Sequence, residues 1–594
     1  MRRIFLALLA LLLLPGDGFA NVTIPSRSLR QLGGRQVWLP ICSRRGVNGS
    51  AAWFDNTNTA VMDQVACVTP SWGTVTAVRL VYAAFDMPQQ GEVDRPVTAT
   101  GVASVYVPSS NSVTVYQNGT GANGATTINL SATSVGANAI SLGQLVSSSG
   151  GGVAANTYVT NVANSFVSGG GNAPSGTVVS LSTGTTAATA AGQPFTFSGA
   201  FVPVKFGGRR QFTIEPGHDV VTSDPVGVEL PPGTEFFVRT AASFSGTGMQ
   251  LMDYPGTGSR LTGEFDSRST TLNDQTMTPV ALGNTGGGYW CPVAVLGLVT
   301  LPAGVMPPGA VLVLGDSIAA GTGDNADPAT GLQGYVQRAL WQAKVPFITA
   351  ARGSTTAAGL AGHGDGQYAL SVDTGITDVL LEDGRNDISS FSLPASTVQA
   401  SIAQIAQRYV QAGKRVWCFT VPPTTQSNDG WITLGNQAWT VATPALTATA
   451  SAGATSVTVS QMNGIAAGDS VSGTGIPAGT TVTSANWVTL AVGLSNATTA
   501  TIASGAKLNF GSQNPGDSAA ETQRQQYNTY LRTSGAGLGC SGVIDVDQVF
   551  ADPGGSGKWR VDLGAASADG VHPSAPLHQA VINAGLLSAA MFQP

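Results

Sequence analysis

The sequence predicts a multidomain protein that combines an α/β domain, a β-sandwich-like N-terminal domain and two embedded small β-rich modules. Three observations predict this architecture. The chain has 594 residues, more than a single hydrophobic core usually serves. Short β-type runs separated by Gly, Pro and Asn fill residues 21–300, whereas strands alternate with Gly-rich turns and helices from about residue 308. Two similar Gly/Ser/Thr-rich segments interrupt these regions.

The composition narrows the class of protein. Only 10% of residues are Asp, Glu, Lys or Arg, against roughly 25% in an average soluble protein, and 76 residues are Gly. This mixture suits turn-rich β structure whose surface carries hydroxyl groups rather than ions. The net charge of −6 gives no basic footprint for nucleic acid and no polybasic membrane patch. We therefore expect no nucleic-acid partner.

Residues 1–20 predict an export signal. Arg2 and Arg3 form a charged start, an apolar run covers 4–14, and Gly18 and Ala20 stand at positions −3 and −1 of a cleavage site. The apolar run is too short to span a bilayer, so no membrane span is expected after cleavage. The Arg-Arg-x-Phe-Leu start leaves twin-arginine export open, although the hydrophobic run favours the general route. We expect a secreted or periplasmic protein.

The five cysteines fit an exported protein, and their odd number leaves at least one outside any intrachain pair. Cys42 and Cys67 form the favoured bridge, because both lie in one loop-rich N-terminal stretch. Cys418 with Cys540 is a weaker pairing. Neither Cys-x-x-Cys nor a His-rich cluster occurs in the sequence, so no metal and no cofactor is expected.

Residues 21–300 carry runs with the length and composition of strands, such as Val78–Ala83 and Glu235–Arg239. Residues 216–239 read as two strands joined by turn residues, and this spacing predicts the β-sandwich-like domain.

An internal repeat pairs residues 134–197 with residues 451–510. The first copy begins SVGANAISL and the second SAGATSVTV, and each continues through a Gly/Ala turn to a Thr-Val pair. The copies close on a Phe within GQPFTF and GAKLNF. Two copies so far apart are embedded modules rather than a solenoid. They could be stiff spacers or glycan-binding decorations.

The strongest chemical signal begins at Ala310, with AVLVLGDSIAAGTGD. Val311–Leu314 is a fully apolar run, typical of a buried parallel strand, and a Gly-Asp turn follows it. Ser317 then stands where a helix would begin, with its hydroxyl at the carboxyl edge of the sheet. Free N–H groups at that helix N-terminus could stabilise a developing anion. Taken alone, however, the pattern favours an N-cap serine.

Three downstream features favour catalysis instead. The run AARGS ends a second strand in a turn and would bring the Gly353 N–H to the same edge. The run VLLEDGRND ends another buried strand and places the Asn386 side chain there. Near the C-terminus, Asp569 and His572 lie three positions apart on a turn, where the carboxylate can fix the imidazole for proton transfer.

These four blocks resemble, in content and order, those of the SGNH hydrolase superfamily, also called GDSL esterases and lipases. The blocks are GDSI at 315–318, Gly353, GRND at 384–387 and DGVH at 569–572. Ile318 replaces the Leu of the nominal motif, and the second block lacks the richer Asn/Gly pattern. The resemblance covers 308–440 and 512–594. It implies a three-layer α/β domain with a doubly wound parallel sheet, into which the module at 451–510 is inserted.

The resemblance also implies a role for each site residue. Ser317 would be the nucleophile, His572 the general base and then acid, and Asp569 the residue that orients the imidazole. The oxyanion hole would comprise the N–H groups of Ser317 and Gly353 and the side-chain amide of Asn386. A phosphate-binding loop is disfavoured, since no Lys follows the glycines as a P-loop requires.

Other polar residues have interpretations outside catalysis. Asp316 and Asp387 are expected to stabilise turns. His218 is expected at the surface of the β-rich part, and His578 in the last helix. His363 could line the acyl or alcohol pocket, although a solvent-exposed loop is favoured.

The sequence thus favours a secreted carboxylic-ester hydrolase that acts through an acyl-enzyme. An acetylated polysaccharide is the preferred ester substrate, by analogy with β-rich accessory regions. We expect the loop of Trp431 and Trp439, together with the second module, to wall the site. A lipase or thioesterase of the same family is one alternative. A non-catalytic, glycan-binding surface or tail-like protein is another.

Overall fold

The structure is a computed structural model. It describes residues 36–43, 54–55, 59–71, 73–83, 85–86, 92–94, 98–107, 113–130, 145–154, 157, 159–166, 174–215, 220–245, 249–250, 264–271, 274–277, 290–301, 309–328, 330–427, 431–439, 445–460, 470–486, 489–511 and 518–593. The predicted export signal, His218 and the opening of the first repeat at 134–142 lie outside the described residues. Within those ranges, no helix has the length and apolar character needed to cross a membrane.

The strands of the N-terminal part are β1 (Gln36–Cys42), β2 (Phe54–Asp55), β3 (Ala60–Val68), β4 (Thr74–Ala83), β5 (Phe85–Asp86), β6 (Val93–Asp94), β7 (Thr98–Val107), β8 (Val113–Tyr116), β9 (Thr127–Leu130), β10 (Leu145–Ser147), β11 (Val159–Phe166), β12 (Pro174–Leu181), β13 (Pro194–Ser198), β14 (Ala200–Pro203), β15 (Gln211–Ile214), β16 (Val220–Thr222), β17 (Val226–Leu230), β18 (Glu235–Ser245), β19 (Met249–Gln250), β20 (Phe265–Ser269) and β21 (Ala294–Thr300).

The later strands are β22 (Val311–Gly315), β23 (Phe347–Thr349), β24 (Asp378–Glu382), β25 (Arg415–Phe419), β26 (Gln426–Ser427), β27 (Gln437–Ala438), β28 (Ala445–Ala450), β29 (Ser456–Val459), β30 (Ser470–Gly473), β31 (Val482–Asn486), β32 (Ala491–Leu494), β33 (Ile502–Gly511) and β34 (Gly542–Ile544). The α-helices are α1 (Gly334–Gln342), α2 (Ala357–Gly362), α3 (Asp365–Asp373), α4 (Arg385–Ser389), α5 (Ala395–Gln411), α6 (Ser518–Ser534), α7 (Asp547–Phe550) and α8 (Ala575–Asn583).

Two antiparallel sheets build most of the N-terminal part. One has the order β1-β21-β4-β16 with β17 also on β4, and the other has the order β14-β7-β18-β3-β20 with β15 also on β7. The Cys42–Cys67 disulfide joins β1 of the first sheet to β3 of the second, as predicted. Between the same two sheets, the Tyr82 hydroxyl lies 2.7 Å from Thr240 Oγ1. The interior between the sheets therefore carries both a covalent and a hydrogen-bonded link.

The two embedded modules share one topology. In the second module, six strands follow the order β30-β33-β28-β29-β32-β31 around a small core that includes Val457, Val492 and Leu508. In the first module, β10-β13-β8 and β9-β12-β11 take the corresponding order, and an antiparallel bridge between Gln117 and Leu130 links the two halves. The paired strands begin at β8 and β28, upstream of the repeat limits read from the sequence at 134 and 451.

Five parallel strands in the order β23-β22-β24-β25-β34 form the sheet of the α/β domain. The chain passes from β22 to β23 on one side and returns to β24 on the other, so the topological switch point lies between β22 and β24. Val311 and Val313 of β22 pack with α1 and α8, whereas Leu312 and Leu314 pack with α5 and α6. This alternation produces the three-layer, doubly wound arrangement that the sequence resemblance implies.

The second module is inserted in the chain between β25 and β34. Contacts outside the module join the segment that follows it to the segment that precedes it. The Cys418–Cys540 disulfide, the weaker of the two predicted pairings, joins β25 to the residues just before β34. Arg524 of α6 is 1% exposed, donates to the Val421 carbonyl at 2.9 Å and forms an ion pair with Asp547. These contacts hold the two halves of the α/β domain together on either side of the insertion. Cys291, outside both bridges, is buried.

The N-terminal sheets cover an edge of the parallel sheet. Ser43 Oγ accepts the Thr349 N–H of edge strand β23 at 3.0 Å and donates to the Val293 carbonyl at 2.9 Å. The Glu92 carboxylate accepts the N–H of Gln367 at 2.7 Å, near the start of α3. An edge strand left open would offer unpaired backbone groups to other chains. A half-open apolar cavity of about 330 Å³ lies at this junction, beside the amino end of β23 and thus away from the carboxyl edge.

Candidate active site

Ser317 lies in an irregular turn directly after β22. The Thr322 N–H donates to the Ser317 carbonyl at 2.9 Å, and α1 begins only at Gly334. The prediction of a helix immediately after Ser317 is therefore wrong. Gly321 and Gly323 have φ values of +96° and +93°, a conformation that interrupts right-handed helical winding. Even so, the Ser317 N–H donates to no other group in the described part of the chain, so it remains available to a ligand.

Ser317, His572 and Asp569 form a continuous hydrogen-bonded series. Ser317 Oγ lies 2.7 Å from His572 Nε2, and His572 Nδ1 lies 2.6 Å from Asp569 Oδ2. The His572 side chain is 20% exposed and that of Asp569 34%, so the series opens to solvent rather than to the core. An imidazole that is held by a carboxylate and bonded to a hydroxyl can take the hydroxyl proton.

The loop that carries Asp569 and His572 is fixed by short-range hydrogen bonds. Asp569 Oδ1 accepts the N–H groups of Val571 and His572, each at 2.9 Å. Ser567 Oγ donates to the His572 carbonyl at 2.7 Å and accepts the Gly570 N–H at 2.8 Å. Burial would raise the pKa of Asp569, but its interactions with His572 and the Val571 N–H hold that pKa well below its ordinary value. Asp569 is therefore ionised at neutral pH.

Gly353 and Asn386 border Ser317 at the same edge of the sheet. A methyl group on Gly353 would lie 3.8 Å from Ser317 Cβ, and the Gly353 N–H has no acceptor among the described residues. Asn386 Nδ2 donates to the Thr355 carbonyl at 2.8 Å, while its Oδ1 accepts from Arg385 at 2.8 Å. These two bonds orient the amide and leave its second N–H with a 3.4 Å contact to Asp316 Oδ2. Gly353 thus lies beside Ser317, whereas the Asn386 amide donates to the Thr355 carbonyl and contacts Asp316, the residue before Ser317.

Asp316 and Asp387 are buried, and their carboxylates accept hydrogen bonds from backbone N–H groups. Asp316 Oδ1 accepts the Ile318 N–H at 2.8 Å, which is the turn-stabilising role predicted for it. Burial raises the pKa of Asp316 to about 6, against the lowering effect of that bond and of Arg385. Asp387 stabilises the start of a helix rather than a turn. It accepts the Ala357 and Ala358 N–H groups at 2.8 and 2.9 Å and so caps α2.

The two other described histidines, His363 and His578, differ in their exposure to solvent. His363 is exposed at the end of α2, which agrees with the solvent-exposed position favoured for it. His578 lies in α8 and is completely buried. Its Nδ1 accepts the Tyr335 N–H at 3.1 Å, so Nε2 carries the proton and donates to the Thr322 carbonyl at 3.2 Å. Burial lowers the pKa of His578 to about 4, which keeps the ring neutral at pH 7.

Trp431 packs against the loop that carries Asp569 and His572. Its indole N–H donates to Thr425 Oγ1 at 3.1 Å, and its carbonyl accepts the Ala566 N–H at 3.1 Å. A methyl group on Gly570 would lie 2.6 Å from the Trp431 ring. Trp439 instead stacks near the Lys558 ammonium, 5.5 Å from its ring centre. Of the two tryptophans, Trp431 thus contacts the loop that carries the site.

Sequence reasoning missed three residues that hold the site. Glu382 is 4% exposed and accepts the Ala319 N–H at 3.1 Å, beneath the Ser317 turn. Ser567 organises the His572 loop, and His578 binds the carbonyl of Thr322, as described above. A glutamate that directly follows the buried apolar run Val379–Leu381 is a usable signal for the first. Nothing in the local sequence distinguishes the other two.

Comparisons with known proteins give hydrolases as partial structural matches. No family model and no curated protein matches the chain. TesA matches at 25% identity over 19% of this chain and 61% of its own, with a TM-score of 0.16. A GDSL-like lipase from Bacteroides thetaiotaomicron matches at 10% identity over 46% of this chain and 84% of its own, with a TM-score of 0.24.

A catalytic mutant of an acetylxylan esterase from Geobacillus stearothermophilus matches at 11% identity over 48% of this chain and 95% of its own, with a TM-score of 0.26. These three matches cover between 19% and 48% of this chain, and the chain spans only 61% of the length of TesA. The remainder is β-rich and divided into several sheets. Similarity of this extent leaves the activity to be argued from the chain's own residues.

Proposed function

We propose that the chain is a serine carboxylic-ester hydrolase of the SGNH (GDSL) superfamily that acts through an acyl-enzyme. One observation carries this proposal. The Ser317 hydroxyl, the His572 imidazole and the Asp569 carboxylate form one series with contacts of 2.7 and 2.6 Å. A binding protein with no catalytic role would have no chemical need for a nucleophile, a base and a donor pocket at one sheet edge.

In the first half of the reaction, Ser317 Oγ attacks the carbonyl carbon of the ester while His572 Nε2 takes the hydroxyl proton. Asp569 is ionised and bonded to Nδ1, so it stabilises the imidazolium that forms. His572 then gives the proton to the departing alkoxide oxygen. The products of this half are the free alcohol and an acyl group on Ser317.

The oxyanion of the tetrahedral intermediate needs fixed donors. The N–H groups of Ser317 and Gly353 lack acceptors among the described residues, and the Asn386 amide is held in orientation by Thr355 and Arg385. Losing one such donor typically costs roughly 10²–10³ in kcat. In the second half, His572 takes a proton from a water molecule whose oxygen attacks the acyl carbon. The bond between the acyl carbon and Ser317 Oγ then breaks, His572 returns the proton to Oγ, and the acid is released.

The preferred version of this activity is deacetylation of a carbohydrate outside the cytoplasm. The surrounding β-rich domain and paired modules support it by analogy with accessory regions of polymer-degrading enzymes. The export pattern at residues 1–20 and the two disulfides support an oxidising compartment, since such bridges are rare in the cytosol.

A lipase or thioesterase is the second candidate, because exposed apolar side chains lie on segments next to the site. Phe391 is 44% exposed and donates its N–H to the Asn386 carbonyl at 3.1 Å. Ile432 is 60% exposed and directly follows Trp431, the residue that packs against Gly570. Large apolar side chains at these places would suit an acyl chain longer than acetyl.

A chain-length series tests the proposal. Wild-type protein and Ser317→Ala are assayed on p-nitrophenyl acetate, butyrate and octanoate, and then on acetylated xylan. We expect hydrolysis by the wild type and at least about a 10³-fold loss in the alanine variant. A rate that survives in Ser317→Ala would contradict the nucleophile assignment. Preference for acetate with release from the polymer supports carbohydrate deacetylation, whereas preference for octanoate supports the second candidate.

A further inference from the structure

The backbone amides around Ser317 are nearly all satisfied. The Asp316 N–H donates to the Glu382 carbonyl at 3.3 Å, and the Ala320 N–H donates to the Asp316 carbonyl at 3.0 Å. The Ile318 N–H donates to the Asp316 carboxylate, as described above. The Ala319 N–H donates to Glu382 Oε2 at 3.1 Å. Within the described residues, Ser317 alone of these five keeps an amide without an acceptor.

Glu382 supplies two of these four acceptors from the neighbouring strand. It is the last residue of β24 and pairs with Gly315 of β22 in the parallel register. Its carbonyl accepts the Asp316 N–H, just before Ser317, and its carboxyl oxygen accepts the Ala319 N–H, two residues after Ser317. The side chain reaches the turn because Gly315 has no Cβ, since a methyl group there would lie 3.1 Å from Glu382 Oε2 and 2.6 Å from Ala319 Cβ. The Gly of the Gly-Asp-Ser motif therefore makes room for Glu382.

We propose that Glu382 is a positioning residue for the nucleophile, which holds the turn so that the Ser317 N–H and Oγ face the substrate together. This inference rests on the proposed hydrolase function. Glu382 is 4% exposed and binds the backbone of Asp316 and Ala319, so it acts on the position of Ser317 through the turn rather than on the substrate. Without the Glu382 oxygen, the Ala319 amide would be left unsatisfied in the interior, and the turn could relax toward another acceptor.

The charges around Glu382 favour its neutral form. Burial raises its pKa well above the ordinary value, and the neighbouring Asp316 and Asp383 carboxylates raise it further, against bonds from Ala319 and Asp316. Tyr335 and Tyr527 also lie near this group of carboxyls. A neutral carboxyl still offers a carbonyl-type oxygen to the Ala319 N–H. Glutamine is therefore a close mimic of the working residue, and methionine has a similar length but no strong acceptor.

The test compares Glu382→Met and Glu382→Gln for kcat and KM on p-nitrophenyl acetate and for the rate of Ser317 labelling by a fluorophosphonate. In the Met variant we expect kcat and the labelling rate to fall at least about tenfold, with KM changed less than about twofold, because small misplacements of reacting groups are costly. We expect the Gln variant to stay within about threefold of wild type. We expect the melting temperature of the Met variant to change little although its kcat falls. The stabilisation gained by removing a buried carboxyl offsets the cost of leaving the Ala319 amide without an acceptor.

Asp383→Asn is the matched control. Asp383 is the next residue, is 3% exposed, and neither carboxyl oxygen has a hydrogen-bond partner within the described residues. The substitution therefore removes a buried acid beside Glu382 without touching the Ser317 turn, and kcat should match the wild type. An equal loss in the Asp383→Asn control and in Glu382→Met would overturn the positioning role, as would an equal loss in the Gln and Met variants.

Two further outcomes keep the inference separate from the proposed function. If the wild type is not labelled at Ser317, the hydrolase proposal itself fails. If it is labelled and the Met variant reacts at the same rate, only the role of Glu382 fails. Should the Met variant not fold, hydrogen exchange decides the matter in the wild-type protein. A protected Ala319 amide supports the inference, and an Ala319 amide that exchanges as fast as an exposed loop contradicts it.

Discussion

His572 Nε2 lies 2.7 Å from Ser317 Oγ although the two residues are 255 positions apart in the chain. The whole second module separates them in sequence, yet it forms its own six-stranded sheet and core. The contact is made because Ser317 lies in the turn directly after β22 and the DGVH loop precedes α8, which packs with α1 on one face of the same sheet. The site is thus assembled by the α/β domain around an insertion.

Asp569→Asn should lower kcat by roughly 10³–10⁴ while leaving the fold intact. The amide can no longer stabilise the imidazolium, and its N–H₂ group would favour the wrong tautomer of His572. The measurement is kcat on p-nitrophenyl acetate, with melting temperature as the check on folding. Activity within about tenfold of wild type would show that Asp569 does not orient His572.

Gly570→Ala should disrupt the loop that carries Asp569 and His572. Gly570 has φ of +82°, and a methyl group there would overlap the Thr425 carbonyl oxygen. Gly555→Ala is the matched control, since Gly555 has φ of +77° and nothing within 4 Å of an added methyl group. We expect at least about a tenfold loss of kcat in the first and about 1 kcal/mol of destabilisation with full activity in the second. Equal activities would contradict this account.

His578 should make stability depend on pH in a defined window. Its pKa is about 4 when folded, against an ordinary value of 6.5, so the unfolded chain binds the proton first as pH falls. The contribution is fully present above about pH 6.5 and is lost progressively toward pH 4, by about 3 kcal/mol in total.

Urea unfolding at pH 7, 5.5 and 4 measures this loss. His578→Gln provides the control, because glutamine can accept and donate hydrogen bonds but does not titrate. The difference in unfolding free energy between the variant and the wild type should move in the variant's favour as the pH falls. A difference that stays constant with pH would assign the acid sensitivity to other groups.

Removal of the second module should leave hydrolysis of small esters intact. Ala445 of β28 pairs with Asn509 of β33, so the two ends of the module lie side by side and a short linker can replace it. The Cys418–Cys540 bridge and Arg524 still hold the remaining halves together. We expect kcat on p-nitrophenyl acetate within about threefold of the full chain. If activity on acetylated polymer and on the small ester falls equally, or neither changes, the module does not shape substrate choice.

The parallel sheet and its site could be predicted because their signals are local. Each apolar run that ends in a Gly turn marks one strand and one edge position, as for Leu314–Ser317 and Leu381–Asn386. Both disulfides were also predicted, although Cys418 with Cys540 was the weaker pairing. The helix expected after Ser317 was wrong because two left-handed glycines at 321 and 323 interrupt it.

The remaining features depend on contacts that sequence spacing does not encode. Asp387 caps α2 rather than its own turn because the fold brings Ala357 next to it. The shared strand order of the two modules depends on which strands pair with each other. Composition does not encode that pairing, because Gly/Ser/Thr-rich segments resemble one another throughout. Glu382 accepts hydrogen bonds from the turn of Ser317, although its strand, β24, is far from β22 in the sequence and only adjacent to it in the sheet. Such cross-strand roles need the register, which the sequence alone does not supply.

Peptide mapping of the fluorophosphonate adduct tests the central claim most directly. The full-length protein is labelled, digested and analysed by mass spectrometry, with Ser317→Ala treated in parallel. The account predicts one phosphonylated peptide, which contains Ser317, and no adduct in the alanine variant. A wild type that stays unlabelled while it hydrolyses p-nitrophenyl acetate, or an adduct on any other residue, would contradict it.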